Sequence, residues 1–319
     1  VSMINKRICA AVSWCWLSSA TVFACNDLGE NAWSHLQYLA GEEMQGRGPG
    51  QPGHLNAQAY ISSILKPLAT SKLEAQSFTY QSGFSQKNGT NWVLNANQQM
   101  PLNANILVIA HYDHLGTKGK KTYWGADDNA SGTAALLALA TCMAPQKWQH
   151  NFIFIAVDRE EQGLRGAKAF IDANPQILNN TRALVNLDMI AHGVNNRHYW
   201  LVGTERWSPL KETMVLANNR ARVPFKAKRR LPVQHSSRHT HRIDLHKASD
   251  HYEFYKAGIP YLFVTGDNHQ YYHTQRDSIA TIDPGFYQQG VHAIAELIVT
   301  LDAHLASLDN PTADNPVTP

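Results

Sequence analysis

The sequence predicts a three-layer α/β fold, a mixed, mostly parallel twisted sheet with helices on both faces. Three observations predict it. The apolar runs Ile106-Leu107-Val108-Ile109-Ala110, Phe152-Ile153-Phe154-Ile155-Ala156-Val157 and Ala183-Leu184-Val185-Asn186-Leu187 are continuous instead of alternating, which marks strands buried on both sides. Between them, the stretches after Gly132 and from 164 to 173 carry helical apolar spacing, so strand and helix alternate as βαβ units. Each run also ends on ionisable side chains, His111, Glu160-Glu161 and Asp188, and ligands in open α/β sheets collect at the carboxyl ends of strands.

The elements follow in order. Residues 1–24 read as an export signal: Lys6-Arg7, an apolar stretch from Ile8 through Leu17, then Val22-Phe23-Ala24 as a small-residue cleavage site. The apolar stretch is short for a membrane span, and no later segment reaches the roughly 20 apolar residues that spanning requires. A soluble periplasmic or secreted protein is expected. Cys25, directly after the cleavage site, also allows a lipid anchor, a pattern that Phe23 fits poorly. Cys9 and Cys15 would leave with the signal. An oxidising compartment permits a Cys25–Cys142 disulfide, but Cys142 follows the apolar helix Ala134-Ala135-Leu136-Leu137-Ala138-Leu139-Ala140 and reads as a buried free thiol.

Residues 25–308 read as a single domain. Helices are expected at 31–40 and 53–68 around the loop 46–53, rich in Gly and Pro. Strands follow at 78–80 and 92–95, able to pair as a hairpin, and at 105–111. After Asp188 come a strand at 198–203, a helix at 209–221, a basic stretch, a short helix at 250–257, a strand at 261–264 and a closing helix at 286–308. Residues 309–319, rich in Pro, Asn and Asp, read as a disordered tail.

The net charge of +3 is too small to imply nucleic acid as a partner. Its placement is uneven. Between Arg220 and Lys247 stand nine Lys or Arg against one Asp, a local +8, so the remainder of the chain is acidic. This stretch, with His235, His239, His241 and His246, lacks periodicity and reads as a mobile, solvated insertion near the mouth of a cleft. There it would attract a substrate carboxylate.

His111, Asp128, Glu161, Asp188 and His273 make a set of imidazoles and carboxylates without thiolate, suited to a hydrolytic zinc site that keeps an open position for water. Taken alone, Asp127-Asp128-Asn129 equally caps the next helix, and Glu160-Glu161 equally forms a solvated turn. The order of the motifs decides. His111-Tyr112-Asp113-His114-Leu115-Gly116, Gly125-Ala126-Asp127-Asp128-Asn129-Ala130-Ser131-Gly132, Glu160-Glu161-Gln162-Gly163-Leu164-Arg165-Gly166-Ala167, Asn186-Leu187-Asp188-Met189-Ile190 and Tyr272-His273-Thr274 resemble, in sequence, the motifs of the co-catalytic di-zinc aminopeptidases, peptidase family M28. Leu39-Ala40-Gly41-Glu42-Glu43-Met44-Gln45-Gly46-Arg47 resembles that family's opening.

The resemblance implies a fold of the zinc exopeptidase type and two Zn2+ per chain. Asp128 would bridge the ions through a residue whose peptide bond to Asn129 is cis, with His111 and Asp188 completing one ion and Glu161 and His273 the other. Glu160, outside that set, would carry the proton. Asp113 would accept from the far nitrogen of His111 as part of the catalytic apparatus, and Asp277, four residues beyond His273, would either do the same for His273 or merely terminate the loop. In Ser249-Asp250-His251, His251 is a substrate-side candidate, as is Tyr272, while Asp250 and Glu253 also form a capping box. The implied activity is that of an aminopeptidase on peptide substrates. Glutaminyl cyclases share the fold and much of the ligand set, but usually carry Trp where Tyr272 stands, and Met189-Ile190 after Asp188 is more peptidase-like. A carboxypeptidase for acidic C-termini is favoured only by the basic stretch. A metal-free binding relative would lack ligands, and none is missing.

Overall fold

A computed structural model describes residues 25–69, 73–96, 105–193, 195, 197–231 and 243–309. Residues 1–24, read above as an export signal, His235, His239, His241 and the tail beyond Asp309 lie outside these residues.

The chain runs through α1 (Leu28–Leu39), a 3-10 segment (Glu42–Arg47) and α2 (Pro52–Leu65) into the hairpin β1 (Glu74–Ser82) and β2 (Ser85–Asn95). Next come β3 (Asn105–His111), the small hairpin β4 (Gly116–Lys118) and β5 (Lys121–Tyr123), α3 (Gly132–Met143), β6 (Asn151–Val157), α4 (Arg165–Ala173), α5 (Pro175–Asn179) and β7 (Thr181–Leu187). The second half carries β8 (Tyr199–Val202), α6 (Ser208–Asn218), β9 (Phe225–Ala227), β10 (Arg230–Leu231), β11 (Ile243–Asp244), α7 (His251–Lys256), β12 (Tyr261–Thr265) and α8 (Pro284–Asp309).

Eight strands form one sheet in the order β1-β2-β6-β3-β7-β12-β8-β9. Its centre, β6-β3-β7-β12, is parallel, and antiparallel partners flank it on both sides. The continuous apolar runs explain the layering. Ile106, Val108, Phe152, Phe154, Val185 and Val264 point into a core shared with α1, α2, α3, α6 and α8. Their neighbours Leu107, Ile109, Ile153, Ile155, Leu184 and Phe263 point into the opposite core with Phe170 of α4 and Phe254 of α7. Successive strand residues face opposite ways, so a strand between two helical layers must be apolar at every position. Each fully buried Leu, Ile or Phe contributes about 1.5–3 kcal/mol.

Helix α8 is, among the described residues, the one helix long and apolar enough to cross a membrane, but half of that stretch is buried. Leu297, Ile298, Leu301 and Leu305 are inside, packed toward α1 and α6.

Two expectations are corrected here. The basic stretch is not wholly irregular: β9 extends the main sheet and β10 pairs antiparallel with β11, Arg230 opposite Asp244 and Leu231 opposite Ile243. Within it His246 is buried, not solvated, its Nδ1 bonded to the Tyr261 hydroxyl. Cys142 is not a free thiol. It is joined to Cys25, with Cα atoms 5.9 Å apart, and the bond occupies the thiol that a lipid anchor at Cys25 would need. The helix α3 is apolar all round, so its periodicity gave no sign that its last turn faces the start of α1. The closed loop spans 117 residues, and such a crosslink typically contributes about 2–4 kcal/mol. Reductant should therefore lower the thermal midpoint by about 5 °C or more. Reaction of Cys25 and Cys142 with a thiol reagent in the unfolded, unreduced chain would contradict the pairing.

Candidate metal centre

The four parallel strands end along one edge of the sheet. His111 is the last residue of β3, Glu160 and Glu161 stand just past β6, Asp188 follows β7, and His273 lies in the loop between β12 and α8. Asp128 does not close a strand; it sits on the entry to α3, after the β4–β5 hairpin. Gly125 makes that loop possible: its φ is +59°, and a Cβ there would lie 2.2 Å from the Asp128 carbonyl oxygen and 2.4 Å from the His114 ring. Arg47, Arg159, Met189 and His273 also hold left-handed φ values of 52°, 63°, 57° and 55°. Such conformations persist only where surrounding structure imposes them.

The two oxygens of Asp128 face different partners. Oδ1 lies 3.6 Å from His111 Nε2, which is in turn 3.4 Å from Asp188 Oδ1. Oδ2 lies 3.1 Å from His273 Nε2, which is 3.3 Å from Glu161 Oε1. Two ligands each 2.0–2.1 Å from a tetrahedral zinc stand about 3.3–3.4 Å from one another. The separations are those of donors able to share a cation, and Asp188 Oδ1 is buried with no hydrogen-bond partner. Electrostatics agree. Burial alone would lower both imidazoles, yet Asp188 and Glu160 raise His111 well above its ordinary range, and Asp128 and Glu161 raise His273 to about 10. Burial would raise Glu161, yet His114 and His273 hold it below the usual carboxylate range. The residues therefore fit a pair of zinc ions sharing Asp128.

Further residues hold these ligands. The peptide bond from Asp128 to Asn129 is cis. Asn129 donates from Nδ2 to the Leu187 carbonyl, and its Oδ1 accepts from the amides of Gly132 and Met189, tying the Asp128 loop to the end of β7. Asp277 does not reach His273. Its carboxylate accepts from the amides of Asp127 at 2.8 Å and Asp128 at 3.1 Å, and burial pushes it up to about 6. Asp113, expected as the acceptor for His111, serves chiefly the next loop: its carboxylate takes the Glu160 amide at 3.0 Å and the Glu161 amide at 3.4 Å. His111 Nδ1 is 3.2 Å from the Asp113 carbonyl oxygen and 3.7 Å from its carboxylate. Asp113 is a positioning residue. Arg47 is fully buried and donates to the carbonyls of Leu39, Tyr112, Trp124 and Gly125, with that of Asp128 at 3.5 Å.

Glu160, Tyr272 and the candidate ligands His111, Asp128, Glu161, Asp188 and His273 line a cavity whose far wall is Met189, Ile243, Leu245, Ala248 and Phe263. Tyr272 stacks on His273, with ring centres 3.9 Å apart. His251 does not reach the cavity and is corrected as a substrate-side candidate. It is fully buried, Nε2 lies 3.0 Å from the Leu245 carbonyl oxygen, its ring stacks on Phe263, and burial lowers its pKa to about 3. It supports the cavity wall from behind. Asp250 does not cap α7; both its carboxylate oxygens are buried without a partner, and burial raises it to about 8.

Sequence reasoning missed His114, although it lies in the same motif as His111. Its Nδ1 is 3.0 Å from Glu161 Oε1 and 3.6 Å from Asp128 Oδ2. Another cluster, Asp127, His192 and His269, also escaped notice. It is a clasp and not a third metal site: Asp127 Oδ1 already accepts the Ala191 amide, and His269 Nδ1 accepts from the Tyr271 amide, so its Nε2 carries the proton given to Asp127 Oδ2 at 2.9 Å.

Comparisons with known proteins extend this picture. Aminopeptidase YwaD of Bacillus subtilis (strain 168) is 28% identical over 191 residues, 58% of this chain and 38% of that protein. The chain spans at most 40% of the curated relatives it matches. The solved structure of BSAP, a zinc aminopeptidase from Bacillus subtilis, superposes with a TM-score of 0.67 at 14% identity, covering 85% of this chain and 94% of that one. An Acidobacteriales bacterium glutaminyl cyclase superposes with a TM-score of 0.68 at 19% identity, covering 86% and 94%. At such identities the structures establish the fold alone, a zinc exopeptidase fold that serves both activities. The sequence profile described as Peptidase family M28 matches residues 91–298; with all five strand-end and loop motifs inside that span, the chain belongs to peptidase family M28.

Proposed function

We propose that the chain is an exported two-zinc aminopeptidase that releases apolar N-terminal residues from peptides. The observation that carries the proposal is the division of the Asp128 carboxylate between His111 with Asp188 and His273 with Glu161. A bound zinc pair supplies Lewis-acid polarisation of the scissile carbonyl and acidifies water. The protein's own part is position and proton transfer. Asp128, Glu161, Asp188, His111 and His273 hold the ions, and Asn129, Asp277 and Arg47 hold the Asp128 loop. Glu160 lines the same cavity and lies outside both ligand groups. Burial pushes its carboxyl well above the usual range, which suits a group that takes a proton from water and returns it to the leaving amine.

The far wall of the cavity supports an apolar first side chain: Ile243, Leu245 and Phe263 offer no charge to a basic or acidic one. The carboxylates that line it, Asp267 among them, favour a free α-ammonium. Export rests on the pattern of residues 1–24 and is supported by the disulfide, which persists in oxidising compartments.

The test is product analysis. Peptides with a free N-terminal Leu should be shortened one residue at a time, and N-acetylation should stop cleavage by removing the ammonium. Release of C-terminal residues from acetylated peptides would make the enzyme a carboxypeptidase. Conversion of N-terminal Gln to a cyclic product without peptide-bond cleavage would make it a cyclase.

A further inference from the structure

A second groove, of about 340 Å3, opens on the other side of the Glu161–His114 contact. It shares no lining residue with the apolar cavity, yet it begins at the metal centre, because His114 bonds Glu161 at 3.0 Å and Gln162 is the next residue in the chain. Its charge is the reverse of the cavity's. Lys87, Lys118 and Arg159 line it and no carboxylate does, whereas Asp128, Glu160, Glu161, Asp188 and Asp267 line the cavity without Lys or Arg.

Three buried polar atoms of its lining residues lack protein partners. His114 Nε2, Arg159 Nε and Gln162 Oε1 are all buried and make no hydrogen bond. Leaving a buried polar atom unmet costs about 1–3 kcal/mol, and of the three Arg159 Nε is the donor that an anion can meet; Gln162 Oε1 accepts, and so does His114 Nε2 while Nδ1 donates to Glu161. Arg159 is 9% exposed, sits in the left-handed region at φ 63°, and anchors one nitrogen on the Asn88 carbonyl. Its Nε is 3.9 Å from Asp158 Oδ2, too far to bond, and Asp158 is already engaged by His54 and the Thr90 and Arg159 amides. The guanidinium lies 5.6 Å from the centre of the Tyr80 ring, which helps to fix it. Lys87 and Lys118 are exposed, with Lys118 Nζ 5.3 Å from the Tyr123 ring.

We infer that this groove holds a carboxylate on the leaving-group side of the scissile bond, so that the enzyme favours short peptides with a free C-terminus or an acidic residue after the one released. The inference rests on the aminopeptidase reading and deepens it. A zwitterionic peptide laid across the metals would put its ammonium among the acids of the cavity and its carboxylate among the cations of the groove.

The test compares Leu-Ala with Leu-Ala amide, which probes the C-terminal carboxylate, and Leu-Glu amide with Leu-Gln amide, which probes an acidic side chain. At least one acid should exceed its uncharged partner in kcat/KM by about tenfold, the scale of a charge-assisted hydrogen bond, mostly through KM and less at high salt. In the Lys87→Ala/Lys118→Ala double variant and in Arg159→Gln that ratio should fall toward one. Because each variant is read as a ratio of its own activities, partial loss of folded enzyme does not disturb the result, and the double variant alone suffices if Arg159→Gln does not fold. Equal efficiency on all four peptides overturns the inference alone, as does a ratio unchanged in the variants. Failure to cleave any of them, or Leu-p-nitroanilide, overturns the aminopeptidase reading and this inference with it.

Discussion

Asp128→Ala should abolish peptide hydrolysis and release both metal ions together. Each oxygen of that carboxylate faces a separate imidazole and a separate second acid, so its removal leaves two half-sites, each short of one ligand. The remaining carboxylates would then face each other with less cation between them. Losing a hydrogen-bonded neighbour of a metal ligand typically costs about 10–100-fold in affinity or activity, and losing the shared ligand should cost more. Metal analysis after dialysis should find neither ion retained, and zinc should no longer raise the thermal midpoint. Retention of one tightly held ion with substantial turnover would show that Asp128 does not bridge.

Glu160→Gln should keep the metal and the fold but lower kcat by about 10²–10⁴, the usual worth of a general base. Glu161→Gln should behave differently. Glu161 contacts His114 at 3.0 Å and His273 at 3.3 Å, so its amide should weaken metal binding as well as turnover. The contrast between adjacent residues is informative because both hang from the same loop, held by Asp113 through their amides. A general collapse of that loop would damage them alike. Parental turnover in Glu160→Gln, with metal content unchanged, would remove it as the proton carrier.

The central strands were legible because burial on two faces forces an apolar residue at every position, and no turn or helix face makes that demand. The site was legible for a related reason: strand ends are where the sheet stops needing apolar residues, so His111, Glu161 and Asp188 stand out against their runs. What sequence did not reveal depends on contacts distant in the chain. Asp277 serves amides about 150 residues away, and no local pattern distinguishes that from a bond to nearby His273. His251 follows a recognisable motif, yet its ring faces the back of Phe263 instead of the cavity, because α7 packs on the outer face of the sheet. The hairpin of β10 and β11 is too short to display alternation, so its contribution of Ile243 to the cavity wall was hidden among positive charges.

Arg47 has a consequence for how the centre is assembled. Burial lowers its pKa to about 10, so the guanidinium remains cationic near neutrality, and it is spent on carbonyl oxygens at the end of α1, after β3 and along the approach to Asp128. A fixed positive charge thus stands among Asp113, Asp128, Glu161 and Asp277. The N-terminal layer, which supplies none of the candidate ligands, thereby becomes a determinant of the shape of the centre.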